Sequence, residues 1–164
     1  MEATFEMSQK VFEKLCLFLE EQKVPYEVKT HAPASTAVQA ARVRGLGANG
    51  LHRGVKAMVV SADGKRVQCI VPGDVMLDLE KVKLLLSAKE VALVSPKDVE
   101  VATGCAPGSV PPFGNLFGMP VYADVDLAQD MVFSAGLHVK SIFMKRADWE
   151  RVVRPTIVPI GKKK

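Results

Sequence analysis

Cysteine is scarce in this sequence, and its spacing excludes two common kinds of site. The 164 residues include three cysteines, Cys16, Cys69 and Cys105, with no CxxC pair and no histidine close to any of them along the chain. Neither a disulfide framework nor a zinc site is therefore predicted. Cys105 lies in a loop rich in glycine and proline, where it could be exposed. A nucleophilic thiol also needs a base and a lowered pKa, and the neighbouring residues supply neither.

Long apolar runs are absent as well. No run reaches the roughly 18 residues that would span a bilayer, and the N-terminus is acidic and amphipathic, unlike a secretion signal. We therefore expect a cytoplasmic protein without a membrane partner. The composition, with 48% apolar and 24% charged residues, is that of an ordinary globular protein. We expect one domain over residues 1–164, of which residues 155–164 form a solvated basic tail.

The excess of basic residues is small. The net charge of +4 is compatible with a polyanionic partner such as a nucleic acid, but an ordinary imbalance of surface charge explains it equally well. The chain ends in three lysines, which could touch phosphate, although a frayed chain end is the simpler interpretation.

Hydrophobic spacing predicts interspersed helices and strands. Helices are predicted over residues 8–22, 37–43, 78–87, 96–103 and 147–153. Strands are predicted over residues 26–30, 55–61, 66–71, 91–94, 121–123, 131–135 and 139–144. Asp63-Gly64 is a strong turn signal that joins two of these strands in a hairpin. The order lacks a regular βαβ alternation, so we predict an α+β fold with a mixed sheet, with loops over residues 45–54 and 104–115.

Lys56 interrupts a strand that is otherwise apolar. Val55 precedes it and Ala57–Val60 follow it, and a strand buried on both faces should read almost continuously apolar. The lysine is either exposed at an edge, with its stem lying along apolar surface, or a functional cation that binds phosphate or carboxylate. The pattern alone favours neither interpretation.

The longest irregular segment contains the run Gly108-Ser109-Val110-Pro111-Pro112-Phe113-Gly114. Glycine lets backbone approach a ligand closely and paired prolines fix the shape of a loop. Exposed N–H groups of such a loop could hold a carbonyl oxygen or an oxyanion, whereas the alternative is a plain tight connection. Ser109 lacks the G-x-S-x-G context of a serine hydrolase, and no His/Asp pair can be assigned to it.

The histidines are not diagnostic by themselves. His138 follows Gly136-Leu137 in a predicted turn between strands, where a substrate contact or a surface position is favoured over a general base. His31 lies in a loop and could line a cleft. No group of histidine, cysteine or acidic residues has metal spacing, so neither a metal nor a cofactor is predicted.

Several segments taken in order resemble one known family. They are His31 with Thr36, Gly54–Ala57 around Lys56, Val71–Asp74, Thr103–Gly114, Val121–Asp124, and Ala135–His138 with Ser141-Ile142. This order is similar to that of the YbaK/prolyl-tRNA synthetase-associated domain family, the trans-editing aminoacyl-tRNA deacylases. The resemblance extends from about residue 9 to residue 153, and the Lys56 strand and the long loop together are specific for it.

The resemblance implies a compact α+β fold around a mixed, barrel-like sheet. It also implies hydrolysis of the ester that joins a wrong amino acid to the terminal adenosine of tRNA, with Lys56 and Gly108 as the catalytic positions. The loop is expected to border the aminoacyl pocket, and the ribose 2′-hydroxyl of the substrate is expected to assist, so that no side-chain nucleophile is required. The substrate-binding residues implied are His31, Thr36, Ser109, Val110, Pro111, Pro112, Phe113 and His138. Relatives differ at the position of His138.

The resemblance indicates Ala-tRNA(Pro) as the first candidate substrate, with tRNA as partner and prolyl-tRNA synthetase as a further candidate partner. Cys-tRNA(Pro) and tRNAs charged with serine or threonine are alternatives. A non-catalytic module that binds tRNA or a synthetase is a second hypothesis, and a thiol- or acyl-binding protein that uses Cys105 is a third. Lys56 is interpreted as an electrostatic anchor rather than a general base, and the loop as a backbone device.

Overall fold

A computed structural model describes residues 2–163; Met1 and Lys164, the end of the expected tail, lie outside this range. The helices are α1 (Glu2–Glu21), α2 (Ala37–Arg44), α3 (Gly50–Arg53), α4 (Leu79–Leu85), α5 (Pro96–Thr103) and α6 (Arg146–Val153), with 3₁₀ turns at Gly47–Asn49 and Gly114–Phe117. The strands are β1 (Glu27–Thr30), β2 (Val55–Ala62), β3 (Lys65–Pro72), β4 (Val75–Leu77), β5 (Val91–Leu93), β6 (Val121–Ala123), β7 (Asp130–Ser134), β8 (Lys140–Lys145), β9 (Thr156–Ile157) and β10 (Gly161–Lys163). None of the described helices has the length and apolarity that crossing a membrane requires.

Local capping explains where three predicted helices begin. Thr36 Oγ1 accepts a hydrogen bond of 3.2 Å from the Gln39 amide at the start of α2. The Asp78 carboxylate accepts from the amides of Glu80 and Lys81 at the start of α4, and Ser95 does the same for Asp98 at the start of α5. These side chains satisfy amides that have no partner within the helix, which confirms the predicted starts.

The α+β prediction is confirmed, but the strands do not form one continuous sheet. Five of them form a mixed sheet in the order β5-β2-β3-β6-β9, three form an antiparallel sheet β1-β8-β7, and two form the pair β10-β4. An isolated bridge between Gly54 and Val132 connects the start of β2 to β7. The bridge places the edge of the three-stranded sheet beside β2.

The main core lies between α1, α6 and the sheets. Leu15 and Leu19 of α1 are fully buried in the same cluster as Trp149 of α6 and Phe113. The ring of Phe113 packs against that of Phe133, with centroids 5.5 Å apart. The long loop is therefore anchored by its aromatic end, and the burial of these side chains is the main stabilising term.

Two irregular segments of the prediction have structure of their own. The predicted loop over residues 45–54 contains a 3₁₀ turn and the short helix α3. The expected frayed tail is also wrong within the described residues, because β10 pairs with β4. The buried Asp124 carboxylate accepts from the amides of Ile160 at 3.0 Å and Gly161 at 2.8 Å, and Ile160 is itself buried.

Candidate active site

Lys56 and Gly108 line the same cleft, which has a volume of about 280 Å³. The cleft is lined by Ala34–Ala37, Ala40, Arg44, Gly54–Met58, Gly73, Gly108, Val110 and Ser134. Five consecutive residues of the β2 region line it because β5 pairs with β2 only over Val60–Ala62. No described strand pairs with the outer edge of β2 between Val55 and Met58, so that edge forms a wall of the cleft.

The side chain of Lys56 is held by the first residue of β4, just after the turn that follows β3. Its Nζ donates a hydrogen bond of 2.6 Å to the Val75 carbonyl. The turn approaches closely because the Gly73 amide donates to the Gly54 carbonyl at 2.7 Å. A Cβ on residue 73 would lie 2.3 Å from the Leu51 carbonyl oxygen, so only glycine fits there. The close approach at Gly73 therefore brings the first residue of β4 within reach of the ammonium group of Lys56, a residue that lines the cleft.

Gly108 brings the long loop against the loop that precedes α2. Its φ is +86°, and a Cβ on it would lie 2.7 Å from the Ser35 carbonyl oxygen. Both the left-handed backbone and the close approach require glycine. The contact sets Gly108 and Val110 opposite the Ser35–Ala37 side of the cleft.

Few amides of this loop can bind a ligand. Pro111 and Pro112 have no N–H, and the Ser109 amide donates to the Ala106 carbonyl at 3.0 Å. The N–H groups of Gly108 and Val110 donate to no acceptor among residues 2–163. Because Gly108 and Val110 also line the cleft, their amides are the candidates in this loop for holding a carbonyl oxygen or an oxyanion.

The second half of the loop lies in the protein interior. The Pro111 carbonyl accepts from Gln68 Nε2 at 2.9 Å, and Gln68 Oε1 accepts from the Gly114 amide at 2.8 Å. The Pro112 carbonyl accepts from the indole N–H of Trp149 at 2.8 Å. Phe113 and Gln68 are fully buried. The buried side of the loop is therefore formed by Pro111, Pro112 and Phe113. These three residues do not line the cleft.

We expect replacement of Gln68 by leucine to destabilise the protein and loosen this loop. The change leaves the buried Gly114 amide without a partner, at a cost of about 1–3 kcal/mol. It also removes one of the two hydrogen bonds to the Pro111 carbonyl, which keeps the one from the Phe113 amide at 2.8 Å. Urea unfolding should show the loss. Gln22→Leu, at an exposed position just after α1, is the control. Equal stability of the two variants would contradict the role given to Gln68.

The other residues named from the sequence lie around the cleft. Thr36 lines it while capping α2, and the Ser109 hydroxyl donates to the Ala106 carbonyl at 2.8 Å. His138 lies in the predicted turn and its Nε2 is 3.2 Å from the Pro107 carbonyl oxygen. His31 Nε2 is 2.7 Å from Ser141 Oγ. Neither histidine is part of the cleft wall.

Arg44 lines the cleft, although no sequence pattern indicated it. The residue is buried, with 5% of its surface exposed, and its Nε donates to Ser141 Oγ at 2.9 Å. Burial lowers the pKa of its guanidinium to about 10, so the group stays positively charged at neutral pH. Ala37, Ala40 and Arg44 lie three and four residues apart and so share one face of α2. That spacing places Arg44 on the same helix face as the two alanines but does not by itself indicate a functional residue.

Cys105 is fully buried, so the expectation that it could be exposed is wrong. The helix end at Thr103 and Gly104 turns the chain inward, and Cys105 packs in a cluster with Val59 and Val110. Burial raises the pKa of the Cys105 thiol to about 12, so the thiol is protonated and unreactive at neutral pH.

We therefore expect Cys105→Ser to retain deacylation within about threefold, because a neutral buried thiol takes no part in the chemistry. Iodoacetamide should modify Cys105 in urea but not in the folded protein, as mass spectrometry of the peptide would show. Loss of deacylation in a folded Cys105→Ser protein would instead move the site to the thiol.

The comparisons with known proteins agree on one family. The family model described as aminoacyl-tRNA editing domain matches residues 31–152, a range that contains every residue of the cleft wall. The multifunctional Ser/Thr-tRNA deacylase ProXp-y of Escherichia coli (strain K12) is 28% identical over 153 residues, which cover 89% of this chain and 90% of that protein.

Two further relatives extend the comparison. The proline–tRNA ligase of Solidesulfovibrio magneticus is 44% identical over 75 residues, which cover 45% of this chain and 13% of the ligase. The solved structure of a candidate trans-editing enzyme for prolyl-tRNA synthetase has a TM-score of 0.78 at 22% identity and covers 93% of this chain and 97% of its own. At 22% identity, this structural match supports the fold alone.

Proposed function

Because the chain belongs to the aminoacyl-tRNA editing domain family, it is an aminoacyl-tRNA deacylase, and we propose that the cleft at Lys56 and Gly108 is its catalytic site. The observation that carries the proposal is the meeting of the two residues in one cleft of about 280 Å³. Gly108 belongs to a loop in which its own amide and that of Val110 are available to a ligand. We also propose that residues 1–164 form one domain, with the aminoacylated 3′ end of tRNA as the partner.

The reaction we propose is hydrolysis of the aminoacyl ester. The oxygen of a water molecule forms a bond to the ester carbonyl carbon, and the carbonyl oxygen takes up negative charge. The amides of Gly108 and Val110 stabilise that charge, since hydrogen-bond donors fixed in advance favour the transition state over the ground state. The bond from the carbonyl carbon to the ribose oxygen then breaks, and a proton from water passes to that oxygen with the adjacent 2′-hydroxyl assisting. Free amino acid and uncharged tRNA leave.

Lys56 acts as an anchor in this scheme. Its ammonium group is held by the Val75 carbonyl, and its positive charge attracts the phosphate or ribose oxygens of the terminal adenosine. Such an anchor fixes the ester relative to the loop amides. Correct positioning of the reacting atoms accounts for a large part of the rate in reactions of this kind.

The substrate we propose is Ala-tRNA(Pro). The cleft is lined largely by small apolar residues, among them Ala34, Ala37, Ala40 and Ala57, which suit a small aminoacyl group and exclude larger ones by size. Proline–tRNA ligases among the relatives support tRNA(Pro), and prolyl-tRNA synthetase remains a candidate partner. The hydroxyl-bearing residues Ser35, Thr36 and Ser134 also line the cleft. They favour serine or threonine as the second candidate, in agreement with the E. coli relative.

A panel of mischarged tRNAs decides between these substrates. Single-turnover deacylation would be measured for tRNA(Pro) charged with alanine, cysteine, serine or threonine, with correctly charged Pro-tRNA(Pro) as the control. We expect alanine to be released fastest and proline to be spared. Release of serine or threonine with alanine spared would overturn the assignment of alanine as the substrate but would leave the deacylase activity supported. Release of no amino acid above the rate in buffer would overturn the function itself.

A further inference from the structure

Arg44 is a buried cation without a carboxylate partner among the described residues. Its Nε donates to Ser141 Oγ at 2.9 Å and its Nη2 reaches Ser134 Oγ at 3.4 Å. These hydrogen bonds use two of the five N–H groups of a guanidinium, and no other acceptor within residues 2–163 takes one from Arg44. Burying a charged group without an opposite charge costs free energy. A purely structural role therefore does not explain an arginine at this position.

The lining of the cleft that contains Arg44 is basic. Arg44 and Lys56 both line it, and none of the residues that line it is acidic. Along α2 the face is apolar at Ala37 and Ala40 and cationic at Arg44. These two parts suit a ligand that combines a small apolar group with an anionic one.

A network behind the cleft orients the guanidinium. Ser141 is buried, and its Oγ lies 2.9 Å from Arg44 Nε and 2.7 Å from His31 Nε2. Since Ser141 accepts from Arg44, its own O–H is available to donate to His31. His31 Nδ1 in turn lies 2.8 Å from the Ala32 carbonyl oxygen, to which it can donate. His31 thus acts through Ser141 as a positioning residue and needs no contact with substrate.

We infer that Arg44 forms an oxyanion subsite of the cleft, which binds a phosphate of the tRNA 3′ end or the carboxylate of the released amino acid. The inference rests on the proposed function for the identity of the ligand, but the binding of an oxyanion can be measured without it. Arginine suits the role because its planar fork of donors matches both phosphate and carboxylate.

The test compares Arg44→Met with Arg42→Met, which removes an exposed arginine from the same helix. Melting temperatures would be measured in inorganic phosphate, acetate and chloride at one ionic strength. Deacylation kinetics would be measured in parallel. Arg44→Lys serves as a third variant that keeps the charge but loses the fork. Circular dichroism would confirm that each variant is folded.

We expect phosphate or acetate to raise the melting temperature of the wild type above that in chloride, because a ligand bound only by the folded state stabilises it. Stabilisation by phosphate at the lower concentration identifies a tRNA phosphate as the ligand, and stabilisation by acetate at the lower concentration identifies the carboxylate of the amino acid. Arg44→Met should lose this shift and raise KM at least about tenfold, Arg44→Lys should recover part of it, and Arg42→Met should resemble the wild type. In chloride, Arg44→Met should melt no lower than the wild type.

The inference fails if neither anion stabilises the wild type more than chloride. It also fails if Arg44→Met keeps the full shift with an unchanged KM. A wild type that deacylates no substrate would overturn the proposed function alone, since the anion-dependent shift and its loss in Arg44→Met would still decide the subsite.

Discussion

Lys56→Met is expected to lower kcat/KM for the mischarged tRNA by about 100-fold or more while the protein stays folded. Methionine keeps most of the length and of the apolar stem but removes the ammonium group that the Val75 carbonyl holds. Loss of one fixed donor at a catalytic site costs on the order of 10²–10³ in rate. Lys56 is half-buried, and the Val75 carbonyl left behind should cost no more than about 1–3 kcal/mol of stability.

Lys65→Met provides the matched control, because Lys65 is an exposed lysine on the adjacent strand β3. It removes the same charge away from the cleft and should leave kcat/KM within about twofold, since surface charges contribute little. The pH profile separates an anchor from a base. An anchor predicts that Lys56→Met lowers the rate at every pH without removing a limb of the profile, whereas a general base predicts that a limb disappears. A rate within about threefold of the wild type would exclude both roles.

Gly108→Ala is expected to reduce the rate by about 100-fold as well, through the position of the loop. The added Cβ would lie 2.7 Å from the Ser35 carbonyl oxygen, at a φ of +86°. Both are backbone constraints that no rotamer relieves, so the loop and the amides of Gly108 and Val110 must shift. A displacement of about 1 Å at a reacting centre can cost 10²-fold in rate. The strained backbone adds about 1–3 kcal/mol of destabilisation.

Gly64→Ala separates the effect of backbone strain at a positive φ from the effect of displacing the loop. Gly64 has a φ of +82° but nothing within 4 Å of an added Cβ, and it does not line the cleft. We expect it to lose about 1 kcal/mol of stability with deacylation unchanged. Urea unfolding and single-turnover kinetics on both variants give the comparison. If Gly108→Ala hydrolysed the ester as fast as Gly64→Ala, the loop amides would have no part in the reaction.

Features with a local cause were predictable from the sequence. The hairpin at Asp63-Gly64 and the helix starts at Thr36, Asp78 and Ser95 depend on neighbouring residues alone. Lys56 and Gly108 were ambiguous as patterns and became candidates through the order of motifs in the family. The meeting of these two residues in one cleft needed the fold, because each is held by a close backbone approach from another segment.

Features with a distant cause were not predictable. Gln68 reads as an ordinary polar strand residue, and its partners Pro111 and Gly114 lie more than 40 positions away. Arg44 reads as a basic residue near the end of a short helix, where charge suits the helix dipole. Its burial depends on Ser141, which is 97 positions away. The short strands β4 and β10 exist only as each other's partners, and strand preference depends strongly on such context.

The most direct test of the catalytic cleft is single-turnover release of labelled alanine from Ala-tRNA(Pro) by the wild type, Lys56→Met and Gly108→Ala, each shown to be folded. We expect rapid release by the wild type and a loss of about 100-fold in each variant. Release by the wild type with both folded variants equally active would show that the chemistry takes place elsewhere on the protein.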